Sequence, residues 1–177
     1  PADVVTSAFG TTESTALGLR GIRLALTETD ILETQFRAIL RATSHGPVRI
    51  LLPMVSNTSE VIKARELLKK AATRLKRRKI TVPDPLPPLG VMIEVPGAAL
   101  AADALARHSD FFAIGSNDLT MYTLATDRAN EHVAHLFDPL HPAVLRLIQF
   151  TTSAALRARI PISICGEMAG EPRYTAL

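Results

Sequence analysis

A chain of 177 residues with 47% hydrophobic and 21% charged content can bury a sizeable core, which excludes an intrinsically disordered segment. No apolar run approaches the roughly 18 residues of a membrane span, and no charged, apolar and small-residue leader opens the sequence, so no membrane partner is expected. Cys165 is the single cysteine and fits a reducing, cytoplasmic setting, while the formal charge of +3 is small enough that nucleic-acid binding would require a clustered, aromatic-interleaved basic face.

The opening, residues 1–16, reads as irregular, and the first residue, Pro1, leads to the expectation that the chain is excised from a longer protein. From Leu17 onward, strand and helix patterns alternate. The segment LGLRGIRLAL leads into TETDILETQFRAILRAT, where Asp30 and Glu33 have the spacing of a capping box and Ile31, Phe36, Ile39 and Leu40 recur near helical periodicity. His45 and Gly46 end that helix, and VRILLPM, Val48 to Met54, reads as a buried strand. Asn57 and Glu60 cap the next helix, whose stripe of Val61, Leu67, Leu68, Ala71 and Leu75 ends in the basic run Lys69 to Lys79. Cations suit the negative end of a helix dipole, and no aromatic residue interleaves them, so the run is a solvated helix end and no nucleic-acid partner is expected.

The stiff connection PDPLPP precedes a second strand, LGVMIE, and an alanine-rich helix that Pro96 starts. FFAIG, Phe111 to Gly115, is a third strand closed by SNDLT, and the polar, broken stretch TDRANEHVAHLFDPLH has the character of a substrate loop. Pro142 opens another helix, PISIC supplies a fourth strand, and EPRYTAL begins a further element. Strands joined by helical crossovers give a parallel sheet, either an open doubly wound sheet or a barrel. A complete eightfold barrel takes about 250 residues, so the chain has room for roughly half, and its free edges call for further strands or self-association.

Three chemistry-bearing motifs sit where strands stop: Glu94 in GVMIEVPGAA, Asn117 and Asp118 in FFAIGSNDLT, and Cys165 in SICGEMAG. The carboxyl ends of barrel strands converge on one face, which would bring these residues together. Glu94 and Asp118 are hard oxygen ligands, and two carboxylates are about what Mg²⁺ takes from protein while keeping water and phosphate. Taken alone, Asp118 is a helix N-cap and Glu94 a strand-end carboxylate bonded to a loop. The repetition favours the metal. His45, His108, His132, His135 and His141 show no ligand spacing, which disfavours zinc. Arg20 and Arg128 are candidates to neutralise a phosphate or carboxylate, with Arg23 an ordinary surface residue. Cys165 is equally a small buried hydrophobe or a thiol acid protonated near neutral pH.

In order, LGLRGIR, LRATSHGPVRILLPM, GVMIEVPGAA, DFFAIGSNDLTMYTLATDRAN, HPAVLRLI and CGEMAG resemble the phosphoenolpyruvate-binding domain of Enzyme I of the bacterial sugar phosphotransferase system. The wording of LGLRGIR and LPPLGVMIEVPGAAL is also similar to fused multiphosphoryl transfer proteins that contain an Enzyme I module. The resemblance implies a partial (β/α)₈ TIM barrel over residues 17–177, about the carboxyl-terminal half, which binds phosphoenolpyruvate and Mg²⁺ and forms a homodimer. It implies metal ligation by Glu94 and Asp118, substrate contacts from Arg20, Asn117 and Arg128, and proton donation by Cys165. Phosphoryl transfer would run to a His on a separate amino-terminal domain of the same protein and on to HPr for sugar uptake. The chain alone, lacking that acceptor, is expected to be inactive. Pyruvate phosphate dikinase and phosphoenolpyruvate synthase share variants of these motifs, and a non-catalytic regulatory or dimerisation module is a further alternative. The sequence departs from the family pattern at Ser14, Thr15 and Ala16, where Asn-Pro is usual, and at Ser116 and Met121, where Thr and Gln are usual.

Overall fold

The computed structural model describes residues 16–174. Apolar runs bounded by proline, glycine or acid become four strands: β1 (Ile50–Leu52), β2 (Leu89–Ile93), β3 (Phe112–Gly115) and β4 (Ile162–Cys165). They form one sheet in the order β1-β2-β3-β4, and each adjacent pair is parallel. A doubly wound sheet reverses its strand order at a switch point, whereas a barrel winds in one direction. The unreversed order is that of a barrel arc, and the fold is an arc of a (β/α)₈ barrel. β2 is buried along nearly its whole length and β3 throughout, as strands covered on both faces must be.

The helices are α1 (Ile22–Thr27), α2 (Thr29–Ala42), α3 (Thr58–Arg77), α4 (Pro96–Leu100), α5 (Ala102–Ala106), α6 (Ser116–Leu124), α7 (Pro142–Ala158) and α8 (Glu167–Gly170). The capping box on α3 forms as expected: Glu60 N–H donates to Asn57 Oδ1 at 3.3 Å and Asn57 N–H donates to Glu60 Oε2 at 2.9 Å. Pro142 starts α7, where a ring nitrogen of His141 accepts from Ala143 N–H. The alanine-rich helix is interrupted at Ala101 and becomes α4 and α5. The polar stretch before α7 has only a short 3₁₀ turn, Ala134–Leu136.

Two expectations for α2 are corrected. Asp30 and Glu33 make no capping box, because α1 runs into α2 through Glu28 and no side chain caps the start. Glu33 is instead turned into the interface with α3, 2% exposed, where it pairs with Arg74 and with Lys70 Nζ at 3.2 Å. Of the expected stripe, Phe36 and Leu40 are buried and Ile39 packs partly buried against the core, while Ile31 is 55% exposed and Leu32 takes its place on the inner face. The irregular opening, with Ser14 and Thr15, and the end of EPRYTAL beyond Tyr174 lie outside the described residues.

Candidate functional site

The parallel register aligns the strand ends: Gly115 of β3 lies opposite Cys165 of β4, Glu94 immediately follows β2, and Asn117 and Asp118 fall in the first turn of α6 directly after β3. Asp118 is thus inside the helix and not its N-cap. Gly115 flanks that end, without a side-chain cap bond.

Glu94 is nearly buried, at 5% exposed, and its Oε1 accepts the backbone N–H of Met54 at 2.6 Å. Met54 carries φ 58, a left-handed conformation rare for a non-glycine residue, in the turn just beyond β1. Gly21, with φ 55, stacks on that turn so closely that a Cβ would lie 2.7 Å from Met54 Cβ, and Ile22 N–H donates to Pro53 O. This packing delivers Arg20 to the strand ends. Gly115 leaves Glu94 its space, because a Cβ there would stand 2.9 Å from both Cβ and Oε2 of Glu94.

Arg20 Nη2 approaches Asp118 Oδ2 at 3.7 Å and its Nη1 donates to the Tyr122 hydroxyl at 3.4 Å; that hydroxyl donates in turn to Ala16 O. Burial pushes the Glu94 carboxyl above the ordinary carboxylate range and Asp118's charge adds to this, with the Met54 N–H and Arg20 opposing. The Cys165 thiol donates to Ile114 O at 3.3 Å, and burial, followed by the Glu94 charge, pushes its pKa up. The thiol thus holds its proton more firmly than an unperturbed one, in keeping with the expected protonated state near neutral pH.

The β4–α8 turn is clamped to α6. Ser116 Oγ donates to Cys165 O at 2.8 Å, Glu167 N–H donates to Asn117 Oδ1 at 3.2 Å, and Gly166, at φ 92, has no room for a Cβ, which would lie 2.5 Å from Ser116 Oγ. Ser116 therefore retains a hydroxyl role at the position where threonine is usual. Arg128 joins this end only through Glu167, Nη1 to Oε1 at 2.8 Å, between exposed side chains.

Glu94, Asp118, Arg20 and Cys165 thus share one rim, with Asn117 beside them and Arg128 at its margin. Sequence reasoning passed over Met54, Gly21, Gly115, Gly166 and Tyr122. Tyr122 had one readable signal, its position four residues after Asp118 on the same helix. A glycine closing β3 and one directly after β4 were the signals for Gly115 and Gly166.

Among the described residues no three His, Cys, Asp or Glu side chains gather into a metal cage, so any cation here would take two protein carboxylates. Mg²⁺ fits that donor set: a recessed carboxyl lies beside a second one with the Met54 N–H and Arg20 as partial compensation, and a divalent ion with water and phosphate ligands would relieve the repulsion.

Residues 6–177 match the family model described as PEP-utilising enzyme, PEP-binding domain. The chain is 49% identical over 177 residues to a phosphoenolpyruvate-protein phosphotransferase of Cupriavidus necator, covering 100% of this chain and 30% of that protein. Proteins of the same name from Geobacillus stearothermophilus and Mycoplasma pneumoniae are 45% and 46% identical over 156 residues, 88% of this chain and 27% and 26% of theirs. The chain therefore spans under a third of these relatives. Among solved structures it is similar to a citrate lyase from Burkholderia xenovorans, with TM-score 0.55 and 22% identity over 75% of this chain and 40% of that one. A HpcH/HpaI aldolase/citrate lyase family protein from Burkholderia cenocepacia gives TM-score 0.53 and 15% identity over 79% and 59%. At these identities the likeness concerns the fold.

Proposed function

Because the chain belongs to the PEP-binding domain family of PEP-utilising enzymes, we propose that it is the phosphoenolpyruvate- and Mg²⁺-binding part of a phosphoenolpyruvate-protein phosphotransferase. The observation that carries this reading is the meeting of Glu94, Asp118, Arg20 and Cys165 at the carboxyl ends of β2, β3 and β4, with Glu94 recessed and Asp118 and Arg20 about a third exposed, at 30% and 39%.

Glu94 and Asp118 would hold Mg²⁺, which when bound would supply positive charge to the phosphoryl oxygens. Arg20, fixed by Asp118 and Tyr122, sets its planar guanidinium against the substrate's anionic groups. Asn117 orients the phosphate, and Arg128, released from Glu167, closes on it from the loop. Transfer breaks the bond between phosphorus and the enol oxygen and forms one to a nitrogen of a His on a separate domain of the same protein, from which the phosphoryl group passes to HPr. The enolate then takes the proton of Cys165 Sγ at its terminal carbon and leaves as pyruvate. A thiol pushed up by burial keeps that proton until the enolate forms. Such chemistry depends on alignment and charge compensation, the equipment gathered here. We assign the assembly as a cytoplasmic homodimer serving sugar uptake; no helix among the described residues is long and apolar enough to cross a membrane.

The test is incubation with phosphoenolpyruvate, Mg²⁺ and HPr. The intact protein is expected to phosphorylate HPr and release pyruvate, and chelation is expected to stop both. This chain alone is expected to leave HPr unphosphorylated. Intact protein that neither consumes phosphoenolpyruvate nor binds it would overturn the assignment.

A further inference from the structure

The amino ends of the strands carry a second charged feature, at the opposite end of the sheet from Glu94. Arg49, Pro88, Phe111 and Pro161 immediately precede β1, β2, β3 and β4, and with Leu68 and Pro87 they surround a hollow of about 500 Å³. Arg65 and Lys69, four residues apart on α3, complete its wall.

The cations here are positioned by the fold. Gly90 lets the Phe111 ring lie against β2, since a Cβ would stand 2.5 Å from ring atoms, and the Arg49 guanidinium sits over that ring at 5.5 Å from its centroid. Arg65 Nη2 is held by His108 O at 2.9 Å and Asp110 Oδ2 at 3.2 Å. The same Asp110 oxygen accepts Leu89 N–H at 2.7 Å, so its capacity is committed to the scaffold. Arg49 and Lys69 have no carboxylate partner among the described residues. Three cations face one carboxylate around an apolar floor, a surplus of two positive charges. Two of the three cations thus have no ion pair, and they stand beside a hollow large enough for a small molecule.

We infer that this hollow is a second anion site, distinct from the carboxyl-end rim, that takes a small phosphate monoester with an apolar body. The phosphate dianion matches the surplus charge at Arg49, Arg65 and Lys69, and the body packs on Pro88 and Pro161, which are exposed in the lining of the hollow.

The test is calorimetric titration of the intact protein with phenyl phosphate, inorganic phosphate and benzyl alcohol. Phenyl phosphate is expected to bind more tightly than inorganic phosphate, with benzyl alcohol giving no binding. The double variant Arg49→Gln/Lys69→Gln, both residues exposed, is expected to keep the wild-type melting curve and to bind phenyl phosphate at least about tenfold more weakly, as the loss of charge-assisted hydrogen bonds requires. Arg20→Gln is expected to leave this binding unchanged, which separates it from the proposed substrate site. No heat up to about 1 mM phenyl phosphate overturns the inference, as does equal affinity in the double variant, loss of binding in Arg20→Gln, or inorganic phosphate binding as well as phenyl phosphate.

Discussion

Gly115→Ala tests whether Glu94 is held as tightly as the packing around it implies. The backbone at Gly115, φ −84, tolerates any residue, so the glycine is required by its neighbours and not by its torsions. An added methyl would meet Glu94 Cβ and Oε2 at 2.9 Å and Met92 Sδ at 3.1 Å. Ordinary carbon contacts lie at about 3.5–4.0 Å, so Glu94 must retreat by roughly half an ångström or more. Retreat strains its 2.6 Å bond from Met54 N–H, which holds the carboxylate in place. Overpacking costs about 1–3 kcal/mol, and weakening a hydrogen bond to a charged group adds about 1 kcal/mol, for a loss near 3 kcal/mol. At about 2–4 °C per kcal/mol for a domain of this size, the melting temperature falls by roughly 6–12 °C. The assay is a thermal melt followed by circular dichroism, beside Gly97→Ala, where a Cβ meets nothing within 4 Å. The control is expected to be neutral or stabilised by up to about 1 kcal/mol. A Gly115→Ala protein that melts with wild type and keeps its Mg²⁺-dependent turnover would refute the close approach of Glu94 to β3 and the positional argument built on it.

Glu94→Ala and Asp118→Ala are each expected to abolish metal-dependent turnover in the intact protein; unchanged rates with phosphoenolpyruvate and Mg²⁺ would remove the residue from the metal site. Glu33→Gln leaves Lys70 and Arg74 facing a neutral buried amide and is expected to destabilise by about 3 kcal/mol near neutral pH, read by urea denaturation, since removing one partner of a buried pair is costly and the cations here are half exposed. Burial alone would raise the Glu33 carboxyl, but Lys70, Arg74 and Arg37 outweigh it and hold it below its ordinary value. A carboxyl lowered by folding contributes stability above its unfolded value of about 4.3, and that contribution is lost as pH falls through the folded value, so the wild-type advantage over Glu33→Gln must shrink below about pH 4; an advantage constant with pH would contradict the ion pairs. Asn57→Ala removes the α3 cap and is expected to cost about 1 kcal/mol in the same denaturation assay, with no change in turnover. Because burial and Glu94 raise the Cys165 thiol, the alkaline limb of pyruvate release is expected above the ordinary thiol range, and Cys165→Ser is expected to slow release while phosphoryl transfer to the acceptor His continues, as rapid-quench sampling would resolve.

The strands were legible because proline, glycine or an acid bounds each apolar run, and a run buried on both faces needs no finer periodicity than that. Their order was not legible: an identical strand–helix alternation serves a doubly wound sheet, and only the observed neighbours β1-β2-β3-β4 distinguish the two. On α2 the spacing of Asp30 and Glu33 satisfied a local capping rule, yet Glu33 is claimed by cations on α3, a partner some forty residues away that no local pattern contains. Phe36 and Leu40 were legible from their spacing, whereas at the start of the stripe Leu32, beside the buried Glu33, faces inward in place of Ile31. Asn57 with Glu60 met the same rule and did form the cap, because α3 begins after a free extended residue and α2 continues from α1.

For the site, composition at the strand ends identified the acids and the thiol, because a charged or reactive group closing an apolar strand is an exception that periodicity exposes. The devices that aim them are backbone features: the left-handed turn at Met54 that points its N–H at Glu94, the Gly21 turn beneath Arg20, and the missing Cβ atoms at Gly115 and Gly166. None has a side-chain chemistry to recognise, and each depends on a close approach to a residue from a different strand–helix unit. Parallel strands collect like ends, so the carboxyl rim gathers Glu94 and Asp118 while the amino rim gathers Arg49 with Arg65 and Lys69 of α3. The carboxyl rim would take phosphate through a metal held by carboxylates and the amino rim through its own cations, which is what makes the two binding proposals separable. Arg20→Gln acts on the first rim and Arg49→Gln/Lys69→Gln on the second, and the Phe111 stack on Gly90 that positions Arg49 has no counterpart near Glu94.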